Sequence, residues 1–151
     1  MIVYRIGRTR YAYDLKGEGA RLFGGRWNHK LTACIYTSQS RALSLLEYSV
    51  NINLDDIPRA LSITSIFIPD EEIKTIGIDM LPGNWKDSPA PASTKDFGTR
   101  LIMEARYAVL KIPSAIIPEE YNYMLNPVQA NSKYFKIEEV REFSYDVRIK
   151  G

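Results

Sequence analysis

Apolar and polar positions along this chain follow first one period and then another, and the changes of period mark out its elements. Ile2 to Ile6 reads as a short opening strand. After it, Lys16 to Lys30 carries Gly17, Gly19, Gly24 and Gly25 and reads as a loop with unusual backbone freedom. Ala33 to Thr37 is a compact apolar run, predicted as a buried strand. Ser38 or Ser40 can cap the next helix, because a serine oxygen accepts from the free amides of a first turn. That helix, Arg41 to Val50, sets Leu43, Leu46 and Val50 on one apolar stripe. Leu61 to Ile68, apolar and β-branched, is predicted as a core strand ending at Pro69.

Pro82 to Ser93 gathers Pro82, Gly83, Pro89 and Pro91 around Trp85 and reads as an irregular loop, a static surface segment rather than a lid. Thr94 to Leu110 has helical spacing in Phe97, Leu101, Ala105 and Ala108, with Arg100 and Glu104 able to pair across one turn. Pro113 and Pro118 bracket a short extended segment holding Ser114, and the next segment closes at Asn126-Pro127. Tyr134 to Glu138 reads as a strand. Phe143, Tyr145, Val147 and Ile149 alternate with Ser144, Asp146, Arg148 and Lys150, the period of a half-buried strand. No repeat and no linker interrupts residues 1–151. The expectation is a single α+β domain, a mixed or antiparallel sheet with a few flanking helices, the sheet split around a cleft.

Length agrees: 151 residues suit one domain with a sizeable core of its own. The 45% apolar and 25% charged residues argue against disorder. The net charge of +2, with no block of like charges, argues against a dedicated nucleic-acid surface. Cys34 is the only cysteine, which excludes an intramolecular disulfide and a secreted disulfide scaffold. Met1 to Arg10 has no apolar signal region, and no run approaches the roughly 18 residues of a membrane span. A cytoplasmic protein without membrane attachment is expected. His29 is the only histidine and no Cys-x-x-Cys occurs, so no metal site is expected; neither a P-loop nor the dinucleotide fingerprint is present.

Three local features bear on chemistry. Glu47 lies on the apolar stripe of its helix, where a carboxylate is costly unless paired or hydrogen-bonded. It is either a structural ion pair or a carboxylate aimed into a cleft, where it stabilises positive charge developing on a sugar. In Gly24-Gly25-Arg26-Trp27-Asn28 the glycines let backbone approach a ligand and Arg26 offers a fork suited to phosphate; the plainer reading is a tight turn with a solvated arginine. Tyr36 ends the predicted strand, as a core residue or as a ring that stacks on a planar ligand.

These residues fall within a longer match. The run from Tyr11 through Leu22-Phe23-Gly24-Gly25-Arg26-Trp27-Asn28 resembles the opening of RES-domain proteins, named for arginine, glutamate and serine. The resemblance continues through Ile35-Tyr36, Ala42 to Glu47, Ile112-Pro113-Ser114, Asn122 to Asn126-Pro127, and Phe143 to Arg148, in order and over almost the whole chain. One departure is visible: Val128-Gln129 follows Asn126-Pro127 where family members often carry a histidine.

The resemblance implies a RES domain over residues 1–151, with a fold similar to that of ADP-ribosyltransferase toxins. It implies the toxin half of a toxin–antitoxin pair that depletes NAD⁺ by cleaving the nicotinamide–ribose bond. NAD⁺ is then substrate, with water or phosphate as acceptor and no prosthetic group. The implied partner is an Xre-like antitoxin that covers the active site and supplies the only link to DNA, with the oligomeric state of the complex left open. The family arginine, tyrosine, glutamate and serine fall on Arg26, Tyr36, Glu47 and Ser114, with Glu47, Arg26 and Tyr36 catalytic. Ser114 is expected to position a carboxamide or ribose hydroxyl, and Arg5 and Asn126 are further NAD⁺-binding candidates. Two alternatives remain: an ADP-ribosyltransferase that modifies one cellular protein, and a non-catalytic antitoxin-binding module acting in promoter repression.

Overall fold

A computed structural model describes residues 1–151. Seven strands form one sheet: β1 (Ile2–Arg8), β2 (Ile35–Ser38), β3 (Leu61–Phe67), β4 (Ile73–Thr75), β5 (Val109–Pro113), β6 (Tyr121–Leu125) and β7 (Lys136–Phe143). Three α-helices accompany them: α1 (Glu18–Phe23), α2 (Arg41–Val50) and α3 (Ala92–Glu104). The strand order is β4-β5-β6-β2-β1-β3-β7, parallel only at β4–β5.

The sheet has two well-laddered halves. β1 pairs with β3 along its whole length, from Ile2 opposite Phe67 to Arg8 opposite Leu61, and β2 pairs fully with β6. Between β1 and β2 a single pair, Tyr4 opposite Ser38, holds the halves together. The expected split is therefore an opening of one continuous sheet. Opening a ladder strands backbone amides, which must find partners when buried. The odd-numbered residues of β1 point at β3, as the bond from the Thr9 amide to Ala60 O shows, so the Ile6 amide points toward the opening. Ser44 of α2 takes it, with Oγ accepting at 3.0 Å.

Side chains alternate across the β5-β6-β2 half with the period of two expected of strands. Ile35, Val109, Tyr123 and Leu125 join Val3, Ile66, Ile68 and Phe135 in one apolar cluster. Cys34, Leu110, Ile112 and Met124 face the other way, where Ile102 of α3, Trp27 and Trp85 cover them. Trp27 stacks on Trp85 with ring centroids 6.4 Å apart and meets Phe97 edge-on at 6.0 Å. The proline-rich segment carries no strand or helix before Ala92, and Trp85, 5% exposed, roots it in the core. Burial pushes the Cys34 thiol up to about 12.

α2 runs over the residues expected of it, with the Ser40 hydroxyl accepting from the Leu43 amide at 3.0 Å. Its buried face differs from the predicted stripe. Leu43, Ser44 and Ser49 are buried, whereas Val50 is 55% exposed; Ser44 faces the open edge of β1, and Ser49 donates to Leu45 O and accepts from the Tyr145 hydroxyl.

Other boundaries are corrected. The helix expected over Thr94 to Leu110 begins at Ala92 and stops at Glu104, where Ala105 turns left-handed at φ 52°. Val109 to Pro113 then form β5, and buried Ala108 belongs to the approach to that strand. Arg100 forms no ion pair with Glu104; its guanidinium lies over the Phe97 ring. The alternating tail after Phe143 is not a strand. Asp146 caps a turn by accepting from the Arg148 amide, and the Tyr145 hydroxyl donates to Ser49 Oγ at 2.8 Å. The strand expected at Tyr134 to Glu138 starts at Lys136, and the glycine-rich loop contains the short α1, which the pattern missed along with β4.

Gly98 in α3 marks the tightest approach between elements. A Cβ there would sit 2.0 Å from Trp27 O. Propensity alone favours alanine over glycine in a helix by about 1 kcal/mol. Here we expect Gly98→Ala to destabilise instead, by about 1–3 kcal/mol as an overpacked contact. Chemical denaturation of the two proteins gives the sign, and an unchanged or higher midpoint would show that Trp27 can retreat.

Candidate active site

The β1–β2 opening leads into a cavity of about 780 Å³, within the roughly 300–1,000 Å³ usual for small-molecule sites. Its walls come from α1, the Gly24–Trp27 turn, β2, α2, residues 88–90, the first turn of α3, and the inner positions of β5 and β6. Only three charged side chains line it: Arg26, Lys95 and Glu47.

Glu47 is half-buried on α2 and has no cation within ion-pair distance. Two donors converge on its Oε1, the Ser114 hydroxyl and Asn122 Nδ2, each at 2.7 Å. Both are held in that role from behind. Ser114 Oγ accepts the Ile116 and Ile117 amides at 3.1 and 3.2 Å, so its own proton is left for Glu47. Asn122 Oδ1 accepts from Ser38 Oγ at 2.6 Å, which turns the Asn122 amide nitrogen toward the carboxylate. Oε2 makes no bond to the protein. The ion-pair account of Glu47 fails on this geometry; the carboxylate is held by neutral donors, with one oxygen left over.

Arg26 extends from the turn after α1. Its Nη1 donates to Trp85 O at 2.9 Å and Asp87 O at 2.8 Å, tying the proline-rich segment to the cavity wall, while Nε and Nη2 have no protein acceptor. Gly25 is glycine for an internal reason: a Cβ there would lie 2.7 Å from the Tyr36 hydroxyl. That hydroxyl donates to Asn28 Oδ1 at 2.6 Å and accepts the Trp27 amide at 3.0 Å. Asn28, fully buried, in turn holds Ala20 O and Thr32 O, both at 2.9 Å. Burial raises the Tyr36 hydroxyl well above the usual phenol range, so it stays protonated and committed to the turn. Tyr36 is half-buried and lines the cavity with its ring.

The structure thus brings Arg26, Tyr36 and Glu47 to one cavity, with Ser114 fully buried one layer behind Glu47. Arg5 stands beside the cavity rather than in its lining. It lines an adjoining hollow of about 220 Å³ that shares Ile6, Gly19, Ala20 and Tyr36 with the cavity, and there it donates to Asp14 O at 2.9 Å and to Tyr11 O and Ala12 O at 3.0 Å; burial lowers its pKa, offset in part by Asp14. Asn126 is also outside the cavity: its Nδ2 donates to Ile102 O at 2.9 Å and its Oδ1 accepts the Val128 amide, closing the end of α3. His29 pairs with Asp96 on the surface. Asn122 and Lys95 line the cavity and escaped the sequence reading. Asn122 stands in the same matched run as Asn126, and only the pairing of β6 with β2 separates the two. Lys95 carries no signal in the sequence, since a lysine on a helix is ordinarily solvated. No three His, Cys, Asp or Glu side chains converge as metal ligands, and no helix is long and apolar enough to cross a membrane.

Comparison with known proteins agrees with this architecture. In its fold the chain is similar to a chain of the Mycobacterium tuberculosis MbcT–MbcA toxin–antitoxin complex, with a TM-score of 0.71 at 16% identity, over 95% of this chain and 84% of that one. A Prs ADP-ribosylating toxin from Sphingobium is 39% identical, covering 94% of this chain and 90% of its own length. A protein named Toxin Res from Yersinia enterocolitica is 37% identical, over 99% of this chain and 100% of its own. A second Toxin Res, from Photorhabdus laumondii, is 34% identical over 99% and 97%. The profile of the RES domain matches residues 2–147, and the chain belongs to the RES domain family.

Proposed function

We propose that this chain is the toxin of a toxin–antitoxin pair and acts in the cytoplasm by cleaving the nicotinamide–ribose bond of NAD⁺. The observation that carries the reading is the asymmetry of Glu47, with Oε1 held by two neutral donors, Oε2 without a protein partner, and a cavity whose other charged lining groups are cations. Breaking this bond expels neutral nicotinamide and leaves an oxocarbenium-like ribose. A lone carboxylate oxygen held beside that sugar gains interaction energy as the positive charge grows, which is what lowers a barrier.

Each residue then has a role its geometry permits. Glu47 Oε2 accepts from a ribose hydroxyl and faces the developing cation. Arg26 offers Nε and Nη2 to a phosphate. The Tyr36 ring packs against nicotinamide, its hydroxyl being occupied by the turn. Ser114, lying behind the carboxylate, acts through Glu47 rather than on the carboxamide or ribose, and Asn122 shares that task from the cavity wall. Water or phosphate completes the reaction at the same sugar carbon. The partner in this reading is an Xre-like antitoxin seated over the cavity mouth, and it alone contacts DNA. The toxin names of the relatives support the role, and the toxin–antitoxin complex with the same fold supports such a partner.

The Sphingobium relative favours a second reading, transfer of ADP-ribose to a protein. Incubating antitoxin-free protein with NAD⁺, with and without phosphate, and weighing the products separates the possibilities. Free ADP-ribose means hydrolysis, and ADP-ribose 1-phosphate formed only with phosphate means phosphorolysis. ADP-ribose retained on protein from a lysate, with little free product, means transfer. Intact NAD⁺ under all three conditions would overturn both readings.

Glu47→Gln keeps the shape of the side chain and removes its charge. Its expected effect is a loss of about 10²–10³ in turnover with NAD⁺ affinity largely retained. Near-normal turnover would remove Glu47 from the chemical step.

Asn122→Asp replaces a donor to Oε1 by a like charge. A fall of about 10- to 100-fold in kcat, with KM little changed, is expected on the scale of a charge-assisted hydrogen bond exchanged for repulsion. If KM rises while kcat holds, Asn122 binds substrate directly and the positioning role is wrong.

A further inference from the structure

We infer that Lys95 and Arg26 together form a two-cation subsite for the diphosphate bridge of the substrate, with Lys95 contributing a second, independent contact. The inference deepens the reading above and rests on it for the identity of the ligand.

Lys95 is the fourth residue of α3 and is half-buried. That position is a poor one for a cation, because the first turn of a helix carries the positive end of its dipole. No carboxylate compensates: the ion pairs in the protein involve Asp70, Glu18, Asp96 and Asp146, none of them with Lys95 or Arg26. Helix stability therefore does not account for this lysine, and partial burial of an unpaired ammonium adds to the cost.

Its placement makes sense from the cavity. Nζ donates to Gly25 O at 2.8 Å, which holds the ammonium against the residue next to Arg26 in the chain. An ammonium has three donors and a guanidinium five. Lys95 uses one on Gly25, and Arg26 uses Nη1 on Trp85 O and Asp87 O, so both keep free donors, and both line the cavity. Glu47, the only carboxylate lining the cavity, comes from α2, a different wall. A ligand carrying two negative charges at one end and a developing positive charge at the other matches that distribution. A diphosphate linked to a ribosyl cation has it, with one anionic phosphate for the guanidinium fork and one for the ammonium.

The shared chemistry is phosphoryl oxygen, and inorganic phosphate offers it as well as a diphosphate does. Titration calorimetry with inorganic pyrophosphate and, separately, with orthophosphate distinguishes them. The proteins are the wild type, Lys95→Gln, which retains a donor for Gly25 O but no charge, and Lys95→Arg, which retains the charge. Pyrophosphate should bind the wild type more tightly than orthophosphate. Lys95→Gln should weaken pyrophosphate binding about 10- to 100-fold at an unchanged melting temperature, and Lys95→Arg should restore most of it. In turnover assays Lys95→Gln should raise KM for NAD⁺ by a similar factor while leaving kcat within about threefold, since a ground-state phosphate contact is uniform binding.

Equal pyrophosphate affinity in the wild type and Lys95→Gln overturns the proposal. So does orthophosphate binding as tightly as pyrophosphate with the same dependence on Lys95, which would assign the lysine to a single phosphate. If Lys95→Gln is misfolded, failure of Lys95→Arg to retain pyrophosphate binding also overturns it. Binding of pyrophosphate requires no cleavage. Lys95-dependent binding alongside intact NAD⁺ would therefore sink the proposed reaction and leave the subsite standing.

Discussion

The opened ladder between β1 and β2 is the constraint on which the rest of the molecule depends. A sheet joined at one residue pair cannot close its hydrogen bonds there, and the protein resolves the deficit with a helix rather than a strand. Ser44 of α2 takes the Ile6 amide, which fixes how α2 lies over the gap. Glu47 follows three residues later on the same helix and so reaches the space that the missing ladder leaves. The buried Ser44 hydroxyl and the position of the Glu47 carboxylate answer one geometric demand. The C-terminal tail reinforces it: Lys150 Nζ donates to Ser49 O and Ile52 O, satisfying carbonyls at the exposed end of the helix.

Around the cavity, the side chains of the site are held by neighbours, some lining it and some buried behind it. Ser114 and Asn122 orient Glu47 and are themselves oriented by amides and by Ser38. Asn28 and the Tyr36 hydroxyl hold the turn that carries Arg26, with Gly25 small enough to let the ring in. The Trp27–Trp85 stack, seated against Gly98, secures both that turn and the segment Arg26 grips. Such second layers narrow the range of positions a reacting group samples, and electrostatic catalysis depends on that narrowness.

How legible this was in the sequence varied with the kind of signal. Periodicity and capping located α2 because Ser40 and the spacing of its apolar residues are local facts. They misjudged its buried face, since nothing within Arg41 to Val50 reveals that a neighbouring strand lacks a partner. The helix expected through Leu110 ran too far because Ala105 and Ala108 fit a helical period by chance, and the left-handed turn at Ala105 carries no glycine to announce it. Glu47 was visible as a carboxylate out of place. Asn126 looked like a companion to it, yet it closes α3, while Asn122, four residues earlier, supplies the donor. Register across β6 and β2 decides that difference, and register is a long-range property.

Cys34 shows what burial does to a residue that chemistry would otherwise recruit. The strand that begins just after it carries Tyr36 to the cavity, yet the thiol is 1% exposed and clustered with Trp27, Ile112 and Met124. With its ionisation pushed up to about 12 by burial, the reactive thiolate is scarce at neutral pH. Peroxide, glutathione disulfide and nitrosating agents all act through that anion. Core packing therefore shields the one sulfhydryl of residues 1–151 from the oxidants that act through a thiolate.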